Sequence, residues 1–230
     1  MPFFYYYDPT YVLVIIALLL SMFASFGVKA TFSKYDKVSN SRGLTAQDIA
    51  RRILDSNGLT NVRIERVSGN LTDHFDPKSN VIRLSDATHS STSVGAIGVA
   101  AHECGHAIQY ALGYGPIKIR NKIVPVVNIG NSLSMPLFLL GLILGMYNLA
   151  LFGAALFGLV LIFQLITLPV EFNASRRAIS ILDERQLLDT DELRGAKKVL
   201  KAAAMTYVAS VAATALQLLR LLMIVNRRRD

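Results

Sequence analysis

The chain has 230 residues, of which 17% are charged, and its formal net charge is +8. This low charged fraction and a mean hydropathy of +0.40 are unusual for a soluble globular protein and favour a membrane protein. The basic residues form no stripe with interleaved aromatic side chains, which argues against nucleic-acid binding. A single cysteine, Cys104, excludes an internal disulfide framework.

The first apolar run covers residues 11–28 and contains no charged side chain. Its length is sufficient, with its flanks, to cross a hydrocarbon core of about 30 Å. A cleaved signal peptide is the alternative, but no lysine or arginine precedes the run and no clear cleavage site follows it. We therefore expect residues 1–29 to form an N-terminal transmembrane segment.

Residues 30–122 are predicted to form a small catalytic α+β unit. Thr45 is a plausible N-cap for a helix that ends near Ser56, before Gly58. Alternating apolar residues over 61–67 predict one strand, and the run 81–84 predicts another. The second strand either offers its edge to an extended peptide substrate or is an ordinary paired strand.

The most informative motif is His102-Glu103-Cys104-Gly105-His106, in a predicted helix over residues 94–112 that Ser91 or Ser93 would cap. Histidines four positions apart lie on one helix face, so both can bind one zinc ion, and Glu103 is placed to act as general base. With only four histidines and five glutamates in the chain, the pattern is not expected by chance. The alternative is a pair of histidines in a helix core, and Cys104 is expected to be a small buried residue.

Residues 123–170 contain no charged side chain, and a single helix of that length would be far longer than a membrane is thick. We expect a transmembrane hairpin with helices near 131–146 and 149–169 and a turn at Tyr147 and Asn148. Small residues let such helices approach closely, and the hairpin offers Gly141, Gly145, Gly153 and Gly158.

The last segment, residues 171–230, contains a fourth apolar run at 202–225 with Arg220 near its end. This run is either a further span or a buried helix, and the charge-free stretch 202–219 slightly favours a span. The overall fold class is therefore α+β and mostly helical, with three or four transmembrane helices. Basic residues directly after the first span place that loop in the cytoplasm: Lys29, Lys34, Lys37 and Arg42. A fourth span would place the arginines at 227–229 outside, against the same rule.

A catalytic zinc ion needs a third protein ligand besides His102 and His106. The remaining histidines, His74 and His89, lie upstream in predicted loops or strands. Glu171 is the better candidate, because two membrane crossings after His106 return the chain to the same side. The alternative is a carboxylate at the N-terminus of an interfacial helix.

These features together resemble a known family. The motif at 102–106, the hairpin and the segment Glu171-Phe-Asn-Ala-Ser-Arg-Arg-Ala resemble the YugP-type membrane neutral zinc metallopeptidases. More distantly, they resemble the glutamate-zincin membrane peptidases of the heat-shock and CAAX-processing type. The resemblance implies a zincin-like catalytic unit in which His102, His106 and Glu171 bind Zn²⁺ and Glu103 is the catalytic base. Relatives in that broader glutamate-zincin group often have an aspartate four residues after the ligand glutamate, where this chain has Ser175.

The expected activity is hydrolysis of peptide bonds in membrane or membrane-proximal proteins by zinc-activated water. The implied partners are a polypeptide and the lipid bilayer, in a bacterial cell membrane with the catalytic unit facing the cytoplasm. Candidates for a second oxyanion donor are Tyr207, Arg176, Arg177 and His74.

Two alternatives remain. The first is a catalytically silent, zinc-stabilised membrane scaffold or adaptor. The second is a channel or transporter, which the absence of ionisable residues between 123 and 170 disfavours.

Overall fold

The computed structural model describes residues 8–227. Within that range, helices flank one small sheet, in the order α1 Tyr11–Tyr35, α2 Ala46–Ser56, β1 Arg63–Val67, β2 His74–Asp76, β3 Val81–Ser85, α3 Val94–Ala111, α4 Gly115–Ile143, α5 Tyr147–Glu184 and α6 Thr190–Asn226. This confirms the mostly helical α+β class with several apolar helices.

The chain divides into two compact units. The first, called here the helical unit, comprises Met1–Ser25, Ile119–Leu168 and Thr206–Asp230. The second, called here the α+β unit, comprises Phe26–Lys118 and Pro169–Met205. Each of α1, α4, α5 and α6 contributes residues to both units.

Helix α2 begins in the α+β unit at the predicted cap. The Thr45 hydroxyl accepts a hydrogen bond from the Asp48 backbone N–H, and the Asp48 carboxylate accepts one from the Thr45 N–H. This reciprocal arrangement is a capping box, which satisfies two N–H groups that a helix leaves unpaired at its start. The predicted apolar face is fully buried and consists of Ile49, Ile53 and Leu54.

The sheet has the strand order β1-β3-β2, with β1 parallel and β2 antiparallel to β3. The strands predicted over 61–67 and 81–84 correspond to β1 and β3. Strand β2 was not predicted, because three residues are too few to show an alternating pattern. Since β3 pairs on both sides, it is an ordinary paired strand and offers no edge to a peptide; β2 lies at one edge instead.

Four helices of the described chain are long and apolar enough to cross a membrane: α1, α4, α5 and α6. Every residue of α1 is described, and none is buried. Large apolar side chains that stay exposed on such helices are suited to contact with lipid. The fourth apolar run therefore lies in a helix that can span, as the sequence slightly favoured.

The hairpin turn lies a little earlier than predicted. Helix α4 ends at Ile143 and α5 begins at Tyr147, so Tyr147 and Asn148 belong to a helix. Gly145 has a φ of +67°, and the Met146 N–H donates to the Gly141 carbonyl at 2.8 Å. A glycine in this left-handed conformation ends a helix without strain, which fixes the turn at residues 144–146. A side chain at Gly141 or Gly153 would collide with the facing helix, whereas Gly158 has only ordinary contact.

Helix α5 continues through Pro169, so Glu171 does not open a new helix as the sequence suggested. A proline removes one backbone donor, but a long helix tolerates it when its neighbours compensate for the freed carbonyl groups. The change from apolar to polar residues at 171 marks a change of environment and not of secondary structure. Glu171 therefore lies on a continuous helix within the α+β unit.

Candidate metal centre

Helix α3 carries the motif and is held in the core of the α+β unit. Ser93, one of the two predicted caps, accepts a hydrogen bond from the Ala96 N–H at 3.1 Å. Cys104 lies on the buried side of the helix, and its thiol donates to the Ala50 carbonyl at 3.6 Å. Burial raises the pKa of this thiol far above its usual range. Cys104 is thus a packing residue, and the opposite side of α3 presents the histidines.

The structure brings three predicted ligand atoms together. The Nε2 atoms of His102 and His106 are 3.1 Å apart. Glu171 Oε2 lies 3.3 Å from the first and 3.6 Å from the second. Among the described residues, these three side chains form the one group whose donor atoms could hold a metal ion.

The spacing of these atoms fits zinc. Zinc–nitrogen and zinc–oxygen bonds of about 2.0–2.1 Å place tetrahedral ligand atoms about 3.3–3.4 Å from each other. The three distances of 3.1, 3.3 and 3.6 Å bracket that value. Two imidazoles and one carboxylate are also the donor set typical of catalytic zinc sites that keep one position open for water.

The second nitrogen of each histidine is also engaged. His102 Nδ1 lies 3.1 Å from Ser175 Oγ. His106 Nδ1 lies 3.0 Å from Gln109 Oε1. Partners of this kind orient metal-binding imidazoles and set which nitrogen carries the proton.

Glu103 follows His102 on α3, near enough for its charge to act on His106, but its side chain is turned toward β2. Its Oε2 accepts a hydrogen bond from the Phe75 backbone N–H at 2.9 Å, and the residue is 8% exposed. Strand β2 lies at one edge of the sheet, and this hydrogen bond joins it to α3. The Phe75 ring packs edge-on against Tyr110, one turn beyond His106 on α3, with centroids 6.1 Å apart.

The electrostatics of the site favour a cation. Burial by itself would lower the pKa of His106, but the Glu171 hydrogen bond and the charges of Glu103 and Glu171 raise it above its usual value. A pocket that stabilises positive charge on a buried imidazole is also suited to a divalent cation, which would take the place of that proton.

A glycine permits the close approach of the two helices that carry the ligands. A Cβ on Gly105 would stand 2.5 Å from the Ala174 carbonyl oxygen. That distance is far below van der Waals contact, so α3 and α5 can approach this closely only with glycine here. The backbone of Gly105, between His102 and His106, therefore packs directly on the turn of α5 that follows Glu171.

The other histidines are not part of the cluster. His74 is exposed on β2 with its Nδ1 2.8 Å from the Thr72 carbonyl, and His89 Nδ1 contacts Ser90 Oγ at 3.1 Å. Of the proposed oxyanion donors, Arg177 donates to the Asn173 side chain at 2.8 Å. A second oxyanion donor stays a prediction.

Sequence reasoning did not single out Gln109, Asn173 or Phe75. Gln109 lies three residues after His106, on the same side of α3, and that spacing could have indicated it. Phe75 and Asn173 have no comparable signal, since their relation to the motif arises only through tertiary contacts.

Comparison with known proteins agrees with this geometry. A family model described as "Putative neutral zinc metallopeptidase" matches residues 10–226. The chain is 49% identical over 218 residues to "Putative membrane protease YugP" of Bacillus subtilis (strain 168), a match that covers 95% of this chain and 97% of that relative. No solved structure matches the chain. The donor set and the family together identify zinc as the cofactor, and the four apolar helices identify a membrane protein.

Proposed function

This chain belongs to the neutral zinc metallopeptidase family that its residues 10–226 match, and we propose that it is a membrane-embedded zinc peptidase. Its substrates are polypeptides, in particular membrane or membrane-proximal proteins. The observation that carries the proposal is the convergence of His102, His106 and Glu171 around one point with Glu103 beside them.

In the proposed mechanism, His102 Nε2, His106 Nε2 and Glu171 Oε2 hold the zinc ion. When bound, zinc supplies Lewis-acid chemistry that activates a water molecule and polarises a carbonyl group. Glu103 takes the proton of the attacking water and delivers it to the leaving amine. Its position next to the three ligand atoms, but outside their set, supports this role.

The open edge of β2 is the proposed position for the substrate backbone. An extended peptide can add to a sheet edge through main-chain hydrogen bonds. The Phe75 N–H of this strand donates to Glu103, so a peptide that adds to β2 would lie beside the proposed base. The printed name of the Bacillus relative, a membrane protease, supports a polypeptide substrate.

We also propose that the site faces the cytoplasm. With four spans, α1 begins and α6 ends on one side of the membrane, and the segments that carry the site lie on the other. Basic residues are concentrated in those loops, as expected for the cytoplasmic side: Lys29, Lys34, Lys37, Arg42, Arg176, Arg177, Lys197, Lys198 and Lys201. The opposite side has fewer basic residues, namely the arginines at 220 and 227–229.

The orientation can be tested with an engineered thiol. Lys78 is exposed in the α+β unit, and the native Cys104 is buried, so a Lys78→Cys variant has one reactive position. A membrane-impermeant maleimide should label it only after intact cells are permeabilised. Labelling in intact cells would place the site outside and contradict this part of the proposal.

Glu103→Gln tests the activity. This variant should bind zinc as the wild type does, while hydrolysis of a fluorogenic peptide library falls by at least about 100-fold, because the general base is lost. Glu184→Gln, at the exposed end of α5, is the matched control and should leave hydrolysis unchanged. Unchanged cleavage in Glu103→Gln would overturn the proposal. Zinc binding by the wild type without any chelator-sensitive hydrolysis would instead favour the silent scaffold.

A further inference from the structure

Resting on the proposed metal site, we infer that Gln109 is a positioning residue: it fixes the tautomer of His106 and ties the α3 ligands to the α5 ligand. Gln109 is fully buried, at 0% exposure, although it is polar. A buried amide is costly unless its donors and acceptor are paired, so its contacts define what this side chain does.

The Gln109 amide makes three contacts within the α+β unit. Its Nε2 donates to the Val170 backbone carbonyl at 2.8 Å and to Asn173 Oδ1 at 3.0 Å. Its Oε1 lies 3.0 Å from His106 Nδ1. The side chain therefore joins one histidine on α3 to the two residues that bracket Glu171 on α5.

The direction of each hydrogen bond follows from groups that cannot reverse. A backbone carbonyl can only accept, so Gln109 must present its NH₂ group to Val170. The Arg177 guanidinium can only donate, and its Nε donates to Asn173 Oδ1 at 2.8 Å. The Asn173 oxygen is thereby turned toward Gln109, which again requires the Gln109 NH₂ group on that side. Two independent partners thus exclude the flipped amide.

This polarity decides where the His106 proton lies. With its NH₂ group committed to α5, Gln109 presents its carbonyl oxygen to His106, and a carbonyl oxygen only accepts. His106 must therefore carry a proton on Nδ1, so the lone pair of its neutral form lies on Nε2, on the side of His102 Nε2 and Glu171. That is the tautomer a metal ion requires.

His102 has no such constraint. Its Nδ1 contacts the Ser175 hydroxyl at 3.1 Å, and a hydroxyl can donate or accept by rotating. Ser175 is therefore compatible with either His102 tautomer, whereas Gln109 is compatible with one His106 tautomer. The two histidines of the motif are fixed to different degrees, and the difference can be measured.

The test replaces Gln109 by methionine, which has nearly the same length and volume but cannot pair with His106, Val170 or Asn173. Zinc affinity of the detergent-solubilised full chain is measured by competition with a chromophoric chelator. We expect Gln109→Met to weaken zinc binding about 10- to 100-fold, the usual effect of losing the outer partner of a metal-binding histidine. Ser175→Ala should weaken it less, and Gln47→Met on α2 should not change it.

A second readout separates positioning from a general loss of stability. In metal-free protein labelled with ¹⁵N-histidine, at a pH that keeps the imidazoles neutral, the ring nitrogen shifts report the tautomer of each histidine. Wild-type His106 should have its proton on Nδ1, and Gln109→Met should move proton population to Nε2. A purely structural role would lower the unfolding temperature of metal-free and zinc-loaded protein equally and would leave the tautomer unchanged.

The outcomes distinguish the two proposals. If wild-type protein binds zinc no more tightly than a His102→Ala variant, the proposed metal site fails. If the wild type binds zinc and Gln109→Met binds it equally tightly with the same His106 tautomer, only the inference about Gln109 is overturned. Weaker binding with an altered tautomer supports it.

Discussion

The α+β unit buries large apolar side chains in a core, whereas the helical unit leaves many of them exposed. The α+β unit encloses fully buried residues from five elements in one core, among them Ile53, Leu84, Ile97 and Leu182. The helical unit has a small buried cluster around Phe138, Ala150 and Ala154, while α1 exposes large apolar side chains along its length. In lipid, burying a leucine in protein gains little, so close packing replaces the hydrophobic core as the organising interaction. A site that needs atoms held within tenths of an ångström belongs to the unit with the enclosed core.

The largest expected difference between the two units concerns truncated leucines. Leu54→Ala, at 0% exposure in the α+β core, should lower the free energy of unfolding by about 2–5 kcal/mol, through lost burial and the cavity it leaves. Leu19→Ala, at 58% exposure on α1, should change it by less than about 0.5 kcal/mol. The buried Cys104 is the chain's single thiol and lies in the same core as Leu54, so its maleimide labelling rate in urea and detergent measures opening of that core. Equal effects of the two substitutions on the free energy of unfolding would contradict the difference described between the two units.

Adding a methyl group to a glycine should also affect the two units differently. Gly105→Ala forces α3 away from Ala174, which should lower the free energy of unfolding by about 1–3 kcal/mol. It should also weaken zinc binding, because Ala174 lies between Glu171 and Ser175. In Gly158→Ala the new Cβ would meet only Leu218 Cδ2, at 3.8 Å, so the free energy of unfolding should not change. Chelator competition and Cys104 labelling measure both effects. Normal zinc affinity in Gly105→Ala would show that the close approach of the helices is not needed for the site.

The smallest expected effect comes from the cap of α2. Thr45→Ala should destabilise the α+β unit by about 1 kcal/mol, because the Thr45 hydroxyl no longer accepts from the Asp48 N–H or donates to the Asp48 carboxylate, while the bond from the residue-45 backbone N–H to that carboxylate remains. These bonds, first the Thr45 hydroxyl, lower the pKa of Asp48 below its ordinary 3.8. A lowered folded-state pKa stabilises the fold above pH 3.8, and that contribution is lost as the pH falls through the lowered value. The difference between wild type and Thr45→Ala should therefore shrink in acid. Thr60→Ala, in an exposed turn, is the control; a pH-independent difference would contradict the role of Asp48.

Local patterns were the part of the fold that could be predicted. The caps at Thr45 and Ser93 and the strands β1 and β3 follow from residue types within a few positions of each other. The four apolar helices follow from length and hydropathy alone. The turn at Gly145 was misplaced because two neighbouring positions suit a turn equally well in sequence. In the structure, the left-handed conformation of Gly145 shows which one is used.

Contacts between distant segments were the part that could not be predicted. Strand β2 exists because β3 pairs with it, and three residues carry no pattern of their own. Pro169 suggested a helix boundary, yet α5 continues through it, with the Val170 carbonyl accepting from Gln109. The partners of Glu103 and His102 come from segments 28 and 73 residues away, and no spacing rule connects them.

The sequence by itself determined the chemistry of the candidate site: two histidines and a glutamate at helical spacing, with a second glutamate after a membrane hairpin. Helical periodicity is local, so the sequence alone places His102 and His106 on one face. Tertiary structure decided how far apart the ligand atoms stand, which nitrogen of His106 is free, and which strand edge lies beside Glu103. Those features depend on Gly105 packing against Ala174 and on the buried amide of Gln109. Both are contacts between helices, and their geometry is set by close packing rather than by any pattern along the chain.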